Sequence, residues 1–546
     1  MNAQEQPFDV RIADGSDWQF ANGDWADGDD GLIQVAGDLN GQPDAAMQGM
    51  HYAFNTSTCC LDCTFDFEIR LQGHTDTGVI FRARDASHFY VLHFPNCGQQ
   101  SRAQHFWVAL SKMDDSGYLR RVKMTLVNAV PSTLDIWLKA RVRVEGPRVY
   151  VHIGDYGYVE FEDHTYAGPG HVGVFCYGRS DLRGLRVLCV PNAQTLWNPM
   201  PTQRTNWQLP SPSAQRVWQQ PVELKRFDDG ELLLQVNLQK ILTAGMDAAS
   251  VPHLTKSTDN GRTWSDPWIP DVVGEGSSWA SPRIHLTPAG RLLLFSPDTD
   301  HKNVFESTDR GKTWSSLGTA NLHLGPPRDQ PVQELAPAGF LNLRDGSMIA
   351  LMIMGFKLHP DQVDLNVRTW GGLHCQAFCS RSEDDGRTWS TPVNMDMPGY
   401  DQDGDQLEGN LDLTEASAFE TASGRIYALI RPIFSPWMWQ TWSDDGGRTW
   451  GACVRGPFPG YAAPNMVRTA SGATLIAHRM PALCIHCTRD DGVTWDPGTT
   501  IDSGMWAMGS MAQVEPDIVL YVYWDSYEGL MRSQRIAVTP SDLSPA

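Results

Sequence analysis

The sequence predicts an all-β chain, a six-bladed β-propeller preceded by a β-sandwich, and three observations carry that prediction. One eight-residue turn motif recurs five times between Ser257 and Trp495. A second, Gly-containing hairpin lies upstream of each copy, so each repeat supplies the four strands of a propeller blade. The 49 Gly, 35 Pro and 20 Trp also favour many short strands, tight turns and rings packed between sheets.

The chain's 546 residues exceed what one ordinary core organises, so more than one domain is expected. The first 195 residues carry alternating strands over 64–70 and 78–83. A hairpin at 141–145 and 149–153 turns at Gly146-Pro147, and further strands lie at 170–175 and 185–187. This pattern resembles the concanavalin-like jelly roll of laminin-G and legume lectin relatives. The expected organisation is therefore a jelly-roll sandwich over 1–190, a linker rich in Pro, Asn and Gln over 191–212, and the propeller over 213–540.

The repeat reads Ser-x-Asp-x-Gly-x-Thr-Trp. It begins at Ser257, Ser307, Ser382 and Ser443, and Thr488 opens the last copy. The Asp accepts hydrogen bonds from the backbone that follows, and Gly supplies the left-handed backbone position. Thr and Trp then start the next strand, with the indole packing between sheets. The five aspartates are thus structural. The upstream hairpins turn at Gly230, Gly290, Gly346, Gly424 and Gly472, and a sixth over 512–523, turning at Glu515-Pro516-Asp517, lacks the motif.

Composition excludes several roles. The net charge of −21 opposes nucleic acid phosphates and anionic membrane surfaces, and no Lys/Arg run offsets it. No apolar stretch reaches membrane-span length, so neither nucleic acid nor membrane is an expected partner. The N-terminus shows no basic segment followed by an apolar core, which favours the cytoplasm. Eleven Cys leave at least one unpaired. Cys59, Cys60 and Cys63 cluster, and the pairs Cys375/Cys379 and Cys484/Cys487 sit in apolar strands. All read as buried thiols in a reducing compartment, so no metal or cofactor is expected.

Strand direction places the candidate site. In each blade the first strand runs to its Gly turn, the second returns, and the third runs to the Asp turn, so both turns share one face. The opposite face carries the funnel where propellers place ligands. Counting from Gly424 puts Glu415 and Arg431 there; the matching place in the fifth repeat holds His478 and Arg479. Asp298 and Asp300 follow the second strand of blade two, Glu334 precedes the first strand of blade three, and Asp247 lies in the long loop of blade one. Trp437, Trp439 and Tyr461 add aromatic rings. Carboxylates, Arg, His and exposed aromatics suit a glycan or oligosaccharide, with rings stacking on sugar and charges binding hydroxyls or a carboxylate. Glu415 and Arg431 have a structural ion pair closing blade four as their alternative reading, and the Trp residues have packing between blades.

These repeats resemble the Asp-box (bacterial neuraminidase) repeats of the sialidase superfamily over about 205–540. The resemblance implies three Arg clamping a substrate carboxylate, an Asp acid/base, and a Tyr nucleophile activated by a Glu, an exception to the usual carboxylate pair of glycosidases. Glu415 and Arg431 stand where the activating Glu and one clamp Arg belong. Gln219-Gln220-Pro221 replaces the family's Arg-Ile-Pro, no Arg stands near Pro464-Asn465, and Met508-Gly509-Ser510-Met511 occupies the place of the Tyr. Tyr523 and Tyr527 are displaced from it. The expected function is thus an exo-acting glycoside hydrolase on a glycan terminus that is not an ordinary sialoside. Glu415 and Asp247 are its acid/base candidates and Arg431 and Arg479 its binders. A polysaccharide lyase using His478 beside a uronate and a purely glycan-binding propeller are the alternatives.

Overall fold

A computed structural model of the chain describes residues 6–9, 17–21, 24–27, 32–36, 50–70, 76–95, 106–114, 118–127, 137–155, 157–177, 182–191, 207–208, 218–239, 250–273, 282–297, 302–319, 332–357, 373–395, 413–432, 437–479, 483–502, 509–525 and 530–546. Every element among them is a β-strand. None is a helix long and apolar enough to cross a membrane.

The N-terminal strands are β1 (Gln6–Asp9), β2 (Trp18–Ala21), β3 (Asp24–Asp27), β4 (Leu32–Ala36), β5 (Met50–Ile69), β6 (Asp76–Asp85), β7 (His88–His93), β8 (Phe106–Met113), β9 (Leu119–Val127), β10 (Leu138–Glu145), β11 (Arg148–Ile153), β12 (Gly157–Glu162), β13 (Gly170–Tyr177) and β14 (Leu182–Pro191). The long β5 joins two ladders. Its first half pairs with β13, which continues through β6, β7 and β8 to β9; its second half pairs with β10 and β14. Period-2 alternation in β10, buried at Leu138, Ala140, Val142 and Val144, turns its apolar face onto Phe65, Phe81, Leu92 and Val108 in one shared core. The other face of the β6–β9 ladder carries a second apolar cluster, with Ile80, Phe89, Val91 and Leu119.

After β15 (Trp207–Gln208) come six groups of consecutive antiparallel strands. The first is β16 (Trp218–Arg226), β17 (Leu232–Gln239) and β18 (Ser250–Ser257). The second is β19 (Arg283–Leu286), β20 (Leu292–Pro297), β21 (Lys302–Ser307) and β22 (Ser315–Thr319). The third is β23 (Val332–Asn342), β24 (Met348–Lys357), β25 (Leu373–Ser382) and β26 (Val393–Asn394), and the fourth β27 (Leu413–Glu420), β28 (Ile426–Pro432), β29 (Trp437–Ser443) and β30 (Val454–Pro459). The fifth is β31 (Tyr461–Arg468), β32 (Thr474–Arg479), β33 (Leu483–Thr488) and β34 (Thr499–Asp502). The sixth is β35 (Gly509–Glu515), β36 (Ile518–Asp525) and β37 (Leu530–Val538), with β38 (Leu543–Pro545) beside β37.

Consecutive groups touch through β16 and β19, β20 and β23, β23 and β27, β27 and β31, and β31 and β35; β35 then meets β16, so the ring closes. Side chains stitch the inner strands together. Ser417 Oγ accepts from Met466 N at 3.1 Å, Asn465 Oδ1 from Met511 N at 2.9 Å, and Ser510 Oγ from Leu224 N at 2.9 Å. Two couplings were not legible beforehand. Trp207–Gln208, inside the segment read as linker, pairs with β37 and completes the sixth blade. β34 pairs with β9, so the N-terminal ladder extends the fifth blade.

Candidate functional site

The repeated turns fix which end of the ring is which. In the second copy Thr313 donates its amide to Asp309 Oδ1 at 2.9 Å and its hydroxyl to Oδ2 at 2.7 Å, while Gly311 N donates to Ser307 Oγ at 2.8 Å. The bonds from Thr313 push the Asp309 carboxyl down to about 2. Asp259, Asp384, Asp445 and Asp490 accept the same amide bond, so all five are engaged in their own turns. Four of the residues just before the motif Gly, namely Asn260, Arg310, Asp385 and Asp491, also have positive φ; the fourth copy places Gly446 there. This position reaches the first hairpin of the neighbouring blade. Arg310 meets Asp229 at 2.6 Å, Asp385 accepts from Ala289 N at 3.2 Å, Asp491 from Ala422 N at 3.0 Å, and Asn260 donates to Glu515 at 2.9 Å. Asp turns and Gly turns therefore share one face. The other face holds the start of each inner strand.

Along the axis the six inner strands enclose a cavity of about 120 Å³, lined among others by Glu223, Arg283, Gly339, Ser417, Asn465 and Ser510. Its charged members form a triad that sequence reading missed. Glu223 meets Lys225 Nζ at 2.7 Å and Arg283 at 3.0 Å. Burial opposes ionisation of Glu223, but Lys225 and Arg283 outweigh it and hold the carboxyl below its usual range. A bulge between Pro221 and Glu223 shifts the register of β16 there, so simple alternation misplaces this carboxylate.

A second bulge builds the predicted fourth-blade pair. Between Leu413 and Ala416 two residues of β27 oppose Arg431 alone, and Glu415 Oε2 accepts from Arg431 at 2.7 Å. Thr414 Oγ1 donates to the Arg431 carbonyl at 3.2 Å, fixing the backbone beneath the guanidinium. Both side chains are largely enclosed, 12% and 8% exposed. The pair stands at the ends of β27 and β28 away from the Asp turns, with Glu415 on the innermost strand.

The other predicted residues do not gather around that pair. His478 is 2% exposed and stacks with Phe458 and His486, with centroids at 5.6 Å and 5.0 Å; like Glu415 and Arg431, it is not among the residues lining the axial cavity. Trp439 is 5% exposed in the blade-four core with Ile430 and Ala416, because its parity on β29 turns it inward. Trp437 meets Trp107 of β8 edge to face at 5.6 Å and lies under Arg455, a contact between domains rather than an open stacking ring. Glu334 pairs with Gly355, and Tyr461 with Arg479, through the backbone; the side chains of these three predicted residues lie outside the description. Asp247, Asp298, Asp300 and Tyr527 lie outside the described residues. Tyr523 is fully enclosed and its hydroxyl accepts from Gln534 Nε2 at 3.0 Å, so it does not supply the missing nucleophile.

Two buried clusters carry chemistry-bearing groups elsewhere. His93 Nδ1 lies 2.5 Å from Asp76 and its Nε2 2.8 Å from Ser111 Oγ, the atom order of a Ser-His-Asp relay. Ser111 is 0% exposed, so no substrate reaches it, and burial pushes the Asp76 carboxyl up against the pull of His93 and Arg121. In blade five His478, Cys484 and His486 converge. Burial there raises the Cys484 thiol, yet Arg121 and then His486 outweigh it and bring it below its usual range. His486 is lowered by burial but raised more by Cys484 and Asp496, to about 9. All ten described cysteines are buried, and none is in a disulfide.

No curated protein sequence matches the chain. A Dyadobacter fermentans protein of unknown function is similar at 17% identity, over 63% of this chain and 98% of its own, with a TM-score of 0.47. The Hadza microbial sialidase Hz136 is similar at 14% identity, over 89% and 94%, with a TM-score of 0.46. The α-L-arabinofuranosidase of Fusarium graminearum is similar at 15% identity, over 60% and 97%, with a TM-score of 0.42. The family model described as a BNR repeat-like domain matches residues 195–411 and, in an overlapping match, 282–516. With five Asp turns, a closed ring of small sheets and that match over more than half its length, the chain belongs to the BNR repeat-like family.

Proposed function

We propose that this propeller is a carbohydrate-active enzyme, an exo-acting glycoside hydrolase on a glycan terminus other than an ordinary sialoside. One observation carries the reading: a bulge on the innermost strand of blade four sets Glu415 against Arg431 at the end of the ring away from the Asp turns. Bulges often re-aim a side chain beside an active site. An Arg beside a carboxylate presents donors to a substrate anion or hydroxyl. Glu415 is the acid/base candidate of this site and Asp247 its second carboxylate, with Arg431 and Arg479 as binders. Ordinary sialosides are disfavoured because Gln219 stands where the resembling family has a clamp Arg, and Ser510, at the place of its Tyr, gives its oxygen to Leu224 N.

The test is a panel of aryl glycosides and uronate polysaccharides, read for released sugar and for new ultraviolet absorbance. On the responsive substrate, Glu415→Gln should lower kcat/KM per folded molecule by about 10²–10⁴-fold, with the melting midpoint followed separately because the pair is largely enclosed and its loss also costs stability. Full activity in Glu415→Gln would remove this site. A loss of stability with unchanged specific activity would make the pair structural.

A further inference from the structure

Antiparallel pairing of β32 and β33 places His478 opposite Cys484, and His486, two residues beyond Cys484, returns to the same face of the sheet. One ring nitrogen of each histidine and Cys484 Sγ all lie within 4.8 Å of one another, and all three side chains are buried. His486 Nδ1 lies 2.9 Å from the Asp496 carbonyl. A carbonyl accepts only from N–H, so Nδ1 carries a proton, and Nε2 is the nitrogen that faces Cys484 Sγ, 4.0 Å away, where a bound metal would displace any proton it holds. A carbonyl fixing the outer nitrogen is the usual support of a metal-bound imidazole.

Geometry agrees with one shared ion. With metal–sulfur near ~2.3 Å and metal–nitrogen near ~2.0–2.1 Å, tetrahedral donors stand roughly 3.6 Å apart. The Cys484–His486 separation of 4.0 Å needs to close by a few tenths of an ångström, and separations up to the 4.8 Å limit of the cluster close by about an ångström through rotation of His478. The fold also withholds side chains around the cluster. A methyl group at Gly498 would stand 3.0 Å from both Cys484 Sγ and His486 Nε2, and one at Gly460 3.3 Å from His478 Nδ1 and 3.0 Å from Met438 Sδ. Phe458, stacked on His486 at 3.8 Å, covers the cluster with an apolar ring.

We propose that His478, Cys484 and His486 bind one borderline-soft transition-metal ion, Zn(II) or Cu(I). One thiolate with two imidazoles selects that class over magnesium or calcium, which take oxygen ligands. Three donors leave the fourth position of a tetrahedral ion for water or the Met438 thioether. The ion ties the second and third strands of blade five together beside Gly498, whose carbonyl accepts from Arg121 N of β9 at 2.9 Å. It staples the blade where the N-terminal ladder joins it.

The test uses the full chain, purified reduced and stripped by chelator, then titrated separately with Zn(II), with Cu(I) in a competing chelator, and with Co(II) as a spectroscopic probe. One equivalent should bind, with a thiolate-to-cobalt charge-transfer band in the near ultraviolet and a melting midpoint that rises with metal. Cys484→Ser should abolish that band, and His478→Gln should weaken binding at least tenfold. The stronger of the Zn(II) and Cu(I) titrations identifies the ion. If Cys484→Ser does not fold, Gly460→Ala takes its place and should weaken binding by crowding His478. Absence of stoichiometric binding by the folded wild-type chain, or a thiolate band that survives Cys484→Ser, overturns the proposal.

Discussion

Replacing Glu223 by Gln tests whether the axial triad holds the inner ring together. The substitution keeps the shape and one acceptor but removes the charge, leaving Lys225 and Arg283 facing each other across the place it occupied. Glu223 contacts them at 2.7 Å and 3.0 Å, and the side chains are only 7%, 18% and 14% exposed. Removing one member of a buried ion pair costs about 3–5 kcal/mol. The residual hydration of Lys225 and Arg283 places this case at the low end, about 3 kcal/mol. Because Glu223 is held below its usual range when folded, its contribution is complete above the unfolded carboxyl value of about 4.3. It is lost as pH falls through the lower folded value, so the gap between wild type and Glu223→Gln should close in acid. Urea denaturation of the full chain at pH 7 measures the gap, and a cycle with Arg283→Met isolates the coupling, expected at about 1–3 kcal/mol. A loss under about 0.5 kcal/mol, or additive substitutions, would refute the view that these charges act as a unit.

Three further outcomes follow from the same geometry. Asp309→Ala should cost about 1 kcal/mol, because its acceptors serve Thr313 but water screens the turn. Since that carboxyl is held near 2, the contribution should persist through mild acid and disappear as pH falls from about 4 toward 2, read by acid-denaturation midpoints. Gly386→Ala should destabilise by about 2–4 kcal/mol, because Gly386 has φ +85° and a Cβ there would stand 2.3 Å from Leu293 Cδ1 of blade two; a melting midpoint equal to wild type would contradict it. Tyr118→Phe should cost about 1 kcal/mol by removing the buried bond from its hydroxyl to Gln534 at 2.8 Å, measured by urea titration of both proteins.

The parts of this fold legible in the sequence are those whose chemistry is local. Asp309, Gly311 and Thr313 complete their turn within a few residues, so the motif announces itself and fixes the strand directions around it. Glu415 and Arg431 are placed at the same end of blade four by counting from Gly424, because both lie within one blade. What escaped depends on partners distant in sequence or on broken parity. Glu223 is displaced by the bulge after Pro221, a one-residue event that no alternation rule anticipates. Trp437 looks like an open sugar platform until Trp107, some 330 residues upstream, is brought against it. His478 shares its strand end with Arg479, but successive side chains leave opposite faces, and Phe458 and His486 enclose it. The residue before each motif Gly showed no common type, since its task of reaching the neighbouring blade is met by Asn260, Arg310, Asp385 and Asp491 in different ways.

The join between the two halves changes how the N-terminal region is to be understood. An independent glycan-binding module would be tied to the propeller by a linker and little else. Here Leu119 and Arg120 pair with Thr500 and Thr499, making β9 a further strand on blade five. Tyr118 is buried among Leu475, Ile485, Tyr521 and Ile536 of blades five and six. Arg120 forms an ion pair with Asp542, and Arg121 N bonds to the Gly498 carbonyl. Cutting the chain within 191–212 would leave β34 an open edge and empty the Tyr118 pocket, and a cut after Gln208 would also remove the strand that pairs with β37. The propeller's outer wall is therefore built partly from N-terminal sequence. Trp107 against Trp437, at the start of the strand following Arg431, carries that coupling toward the end of the ring where Glu415 stands.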